Sequence, residues 1–238
     1  MSRINSLTKK ELLTTLNTPI AYITIILFTV VSNWLFISQF FITKEASMRG
    51  YFAYMPWILL FIIPAISMRT WSEEYKSGTI EFLLTLPISD WQATLAKFFS
   101  STILLCVILI ASLTIPFTVG ALGNTDAGEI IGGYTATLLY GLCLLAIGQW
   151  ISSMCKNQII AFMVAMFASF GLLIIGNGYV LVSTKGLLMN ILQNSSTIYH
   201  YFNIARGVID IRDVAYFVSA IFLALWLNVF VLGSRHWR

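Results

Sequence analysis

The chain has 238 residues, of which 58% are hydrophobic and only 10% are charged, and it carries a net charge of +4 and a mean hydropathy of +0.84. A water-soluble domain carries about 25% charged residues, so this composition excludes an ordinary soluble globular protein. It indicates a protein that lies largely within a membrane.

Long runs without Asp, Glu, Lys or Arg recur along the chain and predict membrane-spanning helices. A helix rises about 1.5 Å per residue, so about 20 residues cross a hydrocarbon core of about 30 Å. The runs are continuously apolar, which favours helices over the alternating strands of a membrane barrel. We predict an all-α polytopic membrane protein with six spans, at about residues 19–42, 50–68, 95–120, 130–154, 158–182 and 214–234.

The Lys and Arg residues are divided unequally between the two sides of these spans. Nine lie on the side that holds both termini, and five lie on the other side. The positive-inside rule therefore predicts that both termini are cytoplasmic. The positive net charge is then a signal of topology, and it gives no reason to expect nucleic acid as a partner.

The segment before the first span has an amphipathic pattern. Its apolar residues recur at helical spacing, while Lys9, Lys10 and Glu11 occupy the other side. Thr8 and Glu11 match the capping box T-x-x-E, and Pro19 marks the break into the membrane. We predict an amphipathic interfacial helix, which serves either as a surface anchor or as a lever attached to a partner.

The first span carries polar side chains along one helical face. Amide and hydroxyl groups at membrane depth cost free energy unless they are paired or hydrated. This face therefore makes structural hydrogen bonds or meets a wet cavity. Its residues are Thr29, Ser32, Asn33 and Gln39.

The sizeable charged loop on the inner side lies between the second and third spans. Gly78 permits a turn, Thr79 can cap a helix, and residues 80–84 predict a short helix with an apolar face. Ser89 and Gln92 match a second capping box, which would start the third span. The short helix could dock on a soluble protein, or it could lie on the membrane as a linker.

The fifth span and the segment after it have distinct patterns. Ala161, Ala165 and Ser169 form a ridge of small residues, which suits close packing within the chain or a dimer seam. Residues 185–213 mix apolar and polar side chains, so we predict re-entrant or interfacial helices between the fifth and sixth spans. Arg206 and Asp210 have the spacing of a helical ion pair, which we interpret as local support.

The sequence shows no assembled set of catalytic or metal-binding residues. It lacks a nucleophile elbow, a zinc-binding H-E-x-x-H helix and a Cys-Cys metal spacing. His200 and His236 fall on opposite sides of the predicted membrane. Cys106, Cys143 and Cys155 lie in or at the ends of spans, where they are expected to be small apolar residues. We predict no catalytic residue, no metal site and no cofactor bound by this chain.

The inner loop carries a family resemblance. Residues 68–87 read MRTWSEEYKSGTIEFLLTLP, and Ala96-Lys97-Phe98 follow. This segment resembles the loop between spans two and three in permease subunits of type-2 ATP-binding-cassette (ABC) exporters. The C-terminal part, including residues 201–217 and 235–238, resembles the branch of gliding-motility-associated and nitrous-oxide-reductase-associated bacterial permeases.

The resemblance implies one permease domain over residues 1–238, in a bacterial cytoplasmic (inner) membrane. Its partners would be the lipid bilayer, a second copy or homologous permease, and two copies of an ABC ATPase that binds ATP and Mg. A periplasmic or membrane-anchored accessory protein could join them. The short helix after Glu73-Glu74 would be the coupling helix, with the contact formed by Arg69, Glu73, Glu74, Gly78, Thr79 and Glu81.

In similar permeases the first and fifth spans line the dimer interface and the path. The resemblance thus implies that Thr29, Ser32, Asn33 and Gln39 line the path and that Ala161, Ala165 and Ser169 form the seam. The chain would couple ATP hydrolysis by a separate ATPase to export or to mechanical transmission, without being an enzyme itself. The competing hypothesis is a non-transporting membrane scaffold or an ion-conducting subunit, which would have no ATPase partner.

Overall fold

The structure is a computed structural model, and it describes residues 2–43, 47–80, 88–123, 126–175 and 193–234. All regular secondary structure within these ranges is helical. The helices are α1 (Ser2–Leu16), α2 (Pro19–Thr43), α3 (Arg49–Ser67), α4 (Arg69–Ser77), α5 (Asp90–Ala111), α6 (Thr114–Leu122), α7 (Ala127–Met154), α8 (Gln158–Ile175), α9 (Thr197–Ala205) and α10 (Ile211–Gly233).

Six stretches of these helices are long and apolar enough to cross a membrane. The predicted all-α fold with six spans is therefore confirmed. The second stretch runs on through α4, and the third combines α5 and α6. The stretches are Pro19–Ser38, Arg49–Ser77, Asp90–Ala121, Ala127–Met154, Gln158–Ile175 and Ile211–Gly233.

The N-terminal helix α1 begins earlier than the capping pattern predicts. Thr8 lies in the helix interior, where its hydroxyl donates to the Ile4 carbonyl at 2.9 Å. The predicted capping box of Thr8 and Glu11 is therefore wrong, because Ile4 and Leu7 are partly buried and extend the helix toward the N-terminus. By contrast, Pro19 begins α2 as predicted.

The start of the third span agrees with the sequence pattern. Ser89 lies before α5 with an extended backbone, and its hydroxyl accepts a hydrogen bond from the Gln92 N–H at 3.3 Å. The Gln92 side-chain oxygen accepts one from the Ser89 N–H at 3.2 Å. The predicted capping box is confirmed, and it satisfies two N–H groups that a helix start leaves without partners.

Prolines within the spans leave carbonyl groups that tyrosine hydroxyls satisfy. Pro56 has no N–H to donate to the Phe52 carbonyl, and the Tyr201 hydroxyl donates to that carbonyl at 2.7 Å. Pro116 likewise cannot donate to Ser112, where the third span breaks between α5 and α6. The Tyr134 hydroxyl lies 3.1 Å from the Ser112 carbonyl. The first contact supplies the donor that Pro56 lacks, and the second adds to the hydrogen bond that the Ser112 carbonyl accepts from the Ile115 N–H at 3.1 Å.

Helix α7 is the centre of the bundle, and it packs against α3, α4, α5, α8, α9 and α10. Its glycines allow these close approaches. A Cβ atom at Gly148 would lie 2.1 Å from the Ser67 hydroxyl, and one at Gly133 would lie 2.2 Å from the Phe52 ring. The absence of a side chain at these positions is therefore a packing requirement.

The segment after the fifth span contains a short packed helix, α9, in its described part. Ile198, Tyr201 and Ile204 are buried, and α9 packs mainly on α7. A helix occurs in the described part of this segment, while its re-entrant or interfacial position stays a prediction and residues 176–192 lie outside the described residues.

The turn between α9 and α10 does not contain the predicted ion pair of Arg206 and Asp210. Helix α9 ends at Ala205, Gly207 has a φ of +90°, and Asp210 caps α10 by accepting from the Arg212 N–H at 2.9 Å. The helical spacing assumed for the pair is therefore wrong, because Gly207 turns the chain between its two members.

The two ends of the bundle have different chemistry. We call the end formed by α1, α4 and the first turns of α5 the charged end, since Glu11, Arg69, Glu73, Glu74 and Lys97 lie there. We call the end formed by α9 and the first turns of α3 and α7 the aromatic end.

Candidate functional site

A buried ion cluster lies at the charged end. The Lys97 side chain of α5 is only 5% exposed, and its Nζ atom lies 2.7 Å from Glu74 Oε1 of α4 and 3.2 Å from Glu11 Oε2 of α1. The same Nζ atom lies 4.9 Å from the centroid of the Trp71 ring, within the range of a cation–π contact. One ammonium group therefore joins α1, α4 and α5.

The start of α4 is held by a residue of another helix. The Ser152 hydroxyl of α7 accepts hydrogen bonds from the backbone N–H groups of Trp71 and Ser72, at 3.1 and 3.2 Å. It donates its own hydrogen to the Met68 carbonyl at 2.9 Å. Because these N–H groups lie in the first turn of α4, Ser152 acts as a cap and links α4 to the centre of the bundle.

The predicted ATPase contact residues of the inner loop separate into inward and outward groups. Glu74 is 18% exposed and its carboxylate contacts Lys97. Glu73 is 46% exposed and makes a two-point ion pair with the Arg69 guanidinium, at 2.9 and 2.7 Å. The end of α4 is exposed at Gly78, which has a φ of +71°, and at Thr79.

The predicted short helix over residues 80–84 is described only at Ile80. Glu81 and the rest of that helix lie outside the described residues. The structure therefore brings Arg69, Glu73 and Glu74 together on α4, with Gly78 and Thr79 at the end of that helix. Their contact with an ATPase stays a prediction.

The polar face of the first span is satisfied by its own helix at three of its positions. The Thr29 hydroxyl donates to the Ile25 carbonyl at 2.8 Å, and the Asn33 amide donates to the Thr29 carbonyl at 2.6 Å. Ser32 is buried within the chain. The side chain of Gln39 lies outside the described residues. These contacts are structural hydrogen bonds, and a role in a path stays a prediction.

The small-residue ridge of the fifth span faces the interior of this chain. Ala161, Ala165 and Ser169 are at most 2% exposed, and α8 packs on α3 and α7. In the single chain the ridge therefore serves intramolecular packing, one of the two alternatives that its pattern predicts. The opposite face of α8 is exposed at Ile160 and Phe167, where a seam with another subunit would find free surface.

Sequence reasoning did not identify the centre of the ion cluster. Lys97 lies inside the predicted third span, and a charge at the edge of an apolar run needs a partner. That signal could have singled out Lys97. The identity of its partners, Glu11 and Glu74, depends on the packing of three helices. Ser152 carries no sequence signal that separates it from other buried serines.

Groups of His, Cys, Asp and Glu that could hold a metal ion do not occur in the part of the chain that the structure describes. The cysteines Cys106, Cys143 and Cys155 are free thiols. Among the described residues, the site at the charged end consists of ion pairs and hydrogen bonds, which can transmit force or bind a ligand.

Comparisons with known proteins agree with this architecture. A family model described as ABC-2 family transporter protein matches residues 6–233. The chain is also 28% identical over 161 residues to the probable multidrug ABC transporter permease YbhR of Escherichia coli (strain K12), and equally to the protein of that name from Escherichia coli O157:H7. The match covers 68% of this chain and 41% of the length of each relative. Six apolar helices and a family match over nearly all of its length show that this multi-pass membrane protein belongs to the ABC-2 family of transporter permeases.

Proposed function

We propose that this chain is the permease subunit of an ATP-driven ABC complex, and that it couples ATP binding and hydrolysis by a separate cytoplasmic ATPase to work across the membrane. The observation that carries this proposal is the cluster of Lys97, Glu11 and Glu74, which joins three helices at one end of the bundle. A partner that moves α4 would move α1 and the third span with it.

The surface that meets the ATPase is the exposed end of α4 together with the segment that follows it. Lys76, Gly78 and Thr79 are exposed there, whereas Glu74 faces inward. We therefore assign Glu74 to transmission within the permease and the end of α4 to direct contact. Glu73, Arg69 and Glu81 complete the proposed contact.

The proposed mechanism is a population shift driven by ATP. Binding of ATP and Mg closes a pair of ATPase subunits, and the closure moves the docked segments as rigid bodies. Because Ser152 ties α4 to α7 and Lys97 ties it to α5, the motion reaches the centre of the bundle. Two permeases, either two copies of this chain or this chain with a homologue, would complete the complex.

Orientation and cargo belong to the same proposal. Both termini lie in the cytoplasm of a bacterium, and the six spans lie in its inner membrane. The name of the relatives, probable multidrug permeases, favours export of small compounds. The resemblance of residues 201–217 to gliding-motility-associated and nitrous-oxide-reductase-associated permeases favours mechanical transmission to a periplasmic or membrane-anchored accessory protein.

The test combines purification with one charge reversal. The tagged chain is purified gently from its native membranes, and the proteins that accompany it are identified. An ABC ATPase should be recovered. In the variant Glu74→Lys, which places two ammonium groups together, we expect normal membrane insertion and retained ATP hydrolysis but loss of transport or of transmitted work.

The matched control is the charge-swapped variant Glu74→Lys with Lys97→Glu. It restores the ion pair between positions 74 and 97, while the new carboxylate at position 97 faces the unchanged Glu11, so it should recover only part of the coupling. Normal function of Glu74→Lys alone would contradict the proposed transmission. Repeated recovery of the chain without an ATPase, even after mild crosslinking, would instead favour the scaffold or ion-conducting hypothesis.

A further inference from the structure

A cavity of about 300 Å³ lies next to the ion cluster, between α1, α2, α3, α4 and α5. Its wall changes along α5 from Lys97 to Ser100 and Ser101 and then to Leu104, over roughly 10 Å of helix at 1.5 Å per residue. The cavity thus has a charged part and an apolar part. Its volume is at the lower limit of known small-molecule sites, about 300 Å³.

The ion cluster in the cavity wall has one surplus negative charge, which Lys10 at the rim balances across the cavity as a whole. Lys97 is shared by the carboxylates of Glu11 and Glu74, so these three groups together carry a charge of −1 when all are ionised. The second oxygen of Glu74, Oε2, is buried and has no hydrogen-bond partner. Arg69, which also lines the cavity, contacts Glu73 instead. A further cationic donor would complete the hydrogen bonding of Glu74 once the carboxylate rotates and turns this oxygen toward the cavity.

Four hydroxyl groups of the wall are acceptors toward the cavity. A hydroxyl has one hydrogen, and once that hydrogen is donated the oxygen can only accept. In four threonines that line the cavity, the hydrogen is donated to a backbone carbonyl of the same segment, at 2.6 to 2.9 Å. These residues are Thr14, Thr15, Thr18 and Thr24.

We propose that this cavity binds the primary ammonium group of an amphiphilic molecule. A primary ammonium supplies one positive charge and three N–H donors, which matches the acceptor-rich wall next to the ion cluster, where the surplus negative charge lies. The apolar part of the molecule would lie against Ile20, Ala21 and Leu104. The ligand is either a membrane lipid with an ethanolamine headgroup or a single-chain alkylammonium compound.

The charge at the rim of the cavity favours a lipid as the ligand. Lys10 lines the cavity and is exposed, so its ammonium group could meet the phosphate of an ethanolamine lipid. A lipid with a choline headgroup has the same charge but no N–H donor, and it therefore tests the hydrogen-bonding argument directly. This inference goes beyond the proposed function, and it is tested on the full chain without an ATPase.

The experiment measures lipid retention by native mass spectrometry. The full-length chain is stripped of lipid in detergent and incubated separately with phosphatidylethanolamine, phosphatidylcholine and phosphatidylglycerol of identical acyl chains, and with dodecylammonium. We expect phosphatidylethanolamine to be retained about tenfold better than phosphatidylcholine, the effect of one charge-assisted hydrogen bond. Preferential retention of phosphatidylethanolamine would identify the ligand as an ethanolamine lipid. Retention of dodecylammonium alone would identify it as a single-chain alkylammonium compound.

Two variants and one matched control locate the site. Glu74→Gln removes the charge, and Thr24→Val removes one acceptor while keeping the shape of the side chain. Either change should reduce the preference several-fold, and thermal unfolding verifies that each variant is folded. Thr102→Val is the control, because Thr102 also donates to a carbonyl of α5, at 2.9 Å, but does not line the cavity.

Two results would overturn this inference. One is equal retention of the three lipids together with no retention of dodecylammonium. The other is a preference that persists unchanged in Thr24→Val and in Glu74→Gln. Neither result bears on the proposed coupling to an ATPase, since that is judged by co-purification and ATP hydrolysis.

Discussion

The charged end and the aromatic end of the bundle are held together by different interactions. At the charged end, Lys97 joins three helices through ion pairs beside a cavity of about 300 Å³. At the aromatic end, the buried hydroxyl of Tyr201 donates to the Phe52 carbonyl at 2.7 Å, and His200 lies 2.5 Å from Asp213. Ion pairs that share one ammonium group can exchange partners, whereas a hydrogen bond between fully buried groups such as Tyr201 and Phe52 resists displacement. The comparison indicates that the ion cluster suits motion and that the Tyr201 contact holds its spans in place, while each end has a cavity, the one beside Phe52 and Phe202 being about 370 Å³.

The close contact between α7 and the turn after α9 shows the same difference between the two ends of the bundle. A Cβ atom at Gly132 would lie 2.6 Å from both the Gly207 Cα and the Ile204 carbonyl oxygen. Backbone atoms cannot move aside as the end of a flexible side chain can. The aromatic end therefore has little freedom at this contact, while the walls of the cavity at the charged end include side chains that can move.

The largest effect should come from breaking the ion cluster. We expect Lys97→Met to reduce the free energy of unfolding by about 3 kcal/mol, because it leaves two partly buried carboxylates without their cation. Chemical unfolding of the purified chain in detergent measures the loss.

The control for Lys97→Met removes all three charges. The variant Lys97→Met with Glu11→Leu and Glu74→Leu should recover most of the stability, since no buried charge then lacks a partner. An equal loss in the single and the triple variant would mean that packing of the Lys97 side chain, and not charge, holds this end together.

The tight helix contact at the aromatic end should give the next largest effect. We expect Gly132→Ala to reduce the free energy of unfolding by about 1–3 kcal/mol through overpacking against the turn at Gly207. Gly171→Ala is the matched control, because no atom lies within 4 Å of its added Cβ. It should raise stability by up to about 1 kcal/mol, the helix propensity of Ala over Gly. Similar behaviour of the two variants would refute the close contact.

Removal of the Tyr201 hydroxyl should produce a comparable or slightly smaller loss. In Tyr201→Phe the buried carbonyl of Phe52 loses its donor, and Pro56 cannot replace it, at a cost of about 1–2 kcal/mol. Tyr134→Phe should cost less, since the Ser112 carbonyl retains the Ile115 N–H at 3.1 Å. Burial raises the pKa of Tyr201 above the usual tyrosine value of about 10, so the hydroxyl is neutral and can donate at pH 6 and at pH 8. The loss of stability in Tyr201→Phe should therefore be the same at both pH values. Unfolding at both pH values measures it.

The smallest effect should come from the exposed ion pair of α4. Arg69→Ala should change the free energy of unfolding by about 0–1 kcal/mol, because Glu73 is 46% exposed and remains hydrated. The same unfolding assay applies. A loss as large as that of Lys97→Met would show that the two ion pairs at the charged end act as one network.

The sequence predicted the spans well because a membrane imposes a one-dimensional requirement. A run of about 20 apolar residues is needed at each crossing, and such runs can be counted without knowing their neighbours. The capping box of Ser89 and Gln92 was equally predictable, since both partners lie within four residues of each other. The same local reasoning was wrong for Thr8, because Ile4 and Leu7 are partly buried and α1 extends beyond the apparent cap.

The candidate site was predictable only in part. The family resemblance directed attention to Arg69, Glu73 and Glu74, and the structure places these residues on one helix. The resemblance did not indicate that Glu74 faces inward. The small residues at Ala161 and Ala165 suited two kinds of neighbour, and their burial within the chain depends on how α8 packs on α3 and α7.

By itself, the sequence determined that this is an all-helical membrane protein, how many times the chain crosses, and which family its inner loop resembles. These properties depend on composition and on contacts between near neighbours in the chain. The tertiary structure alone decided that Lys97 meets Glu11 and Glu74, which lie 86 and 23 residues away, and that Tyr201 serves a carbonyl 149 residues away. The packing of the helices determines these partners. A buried charge or carbonyl can pair only with groups that the packing brings within hydrogen-bonding distance.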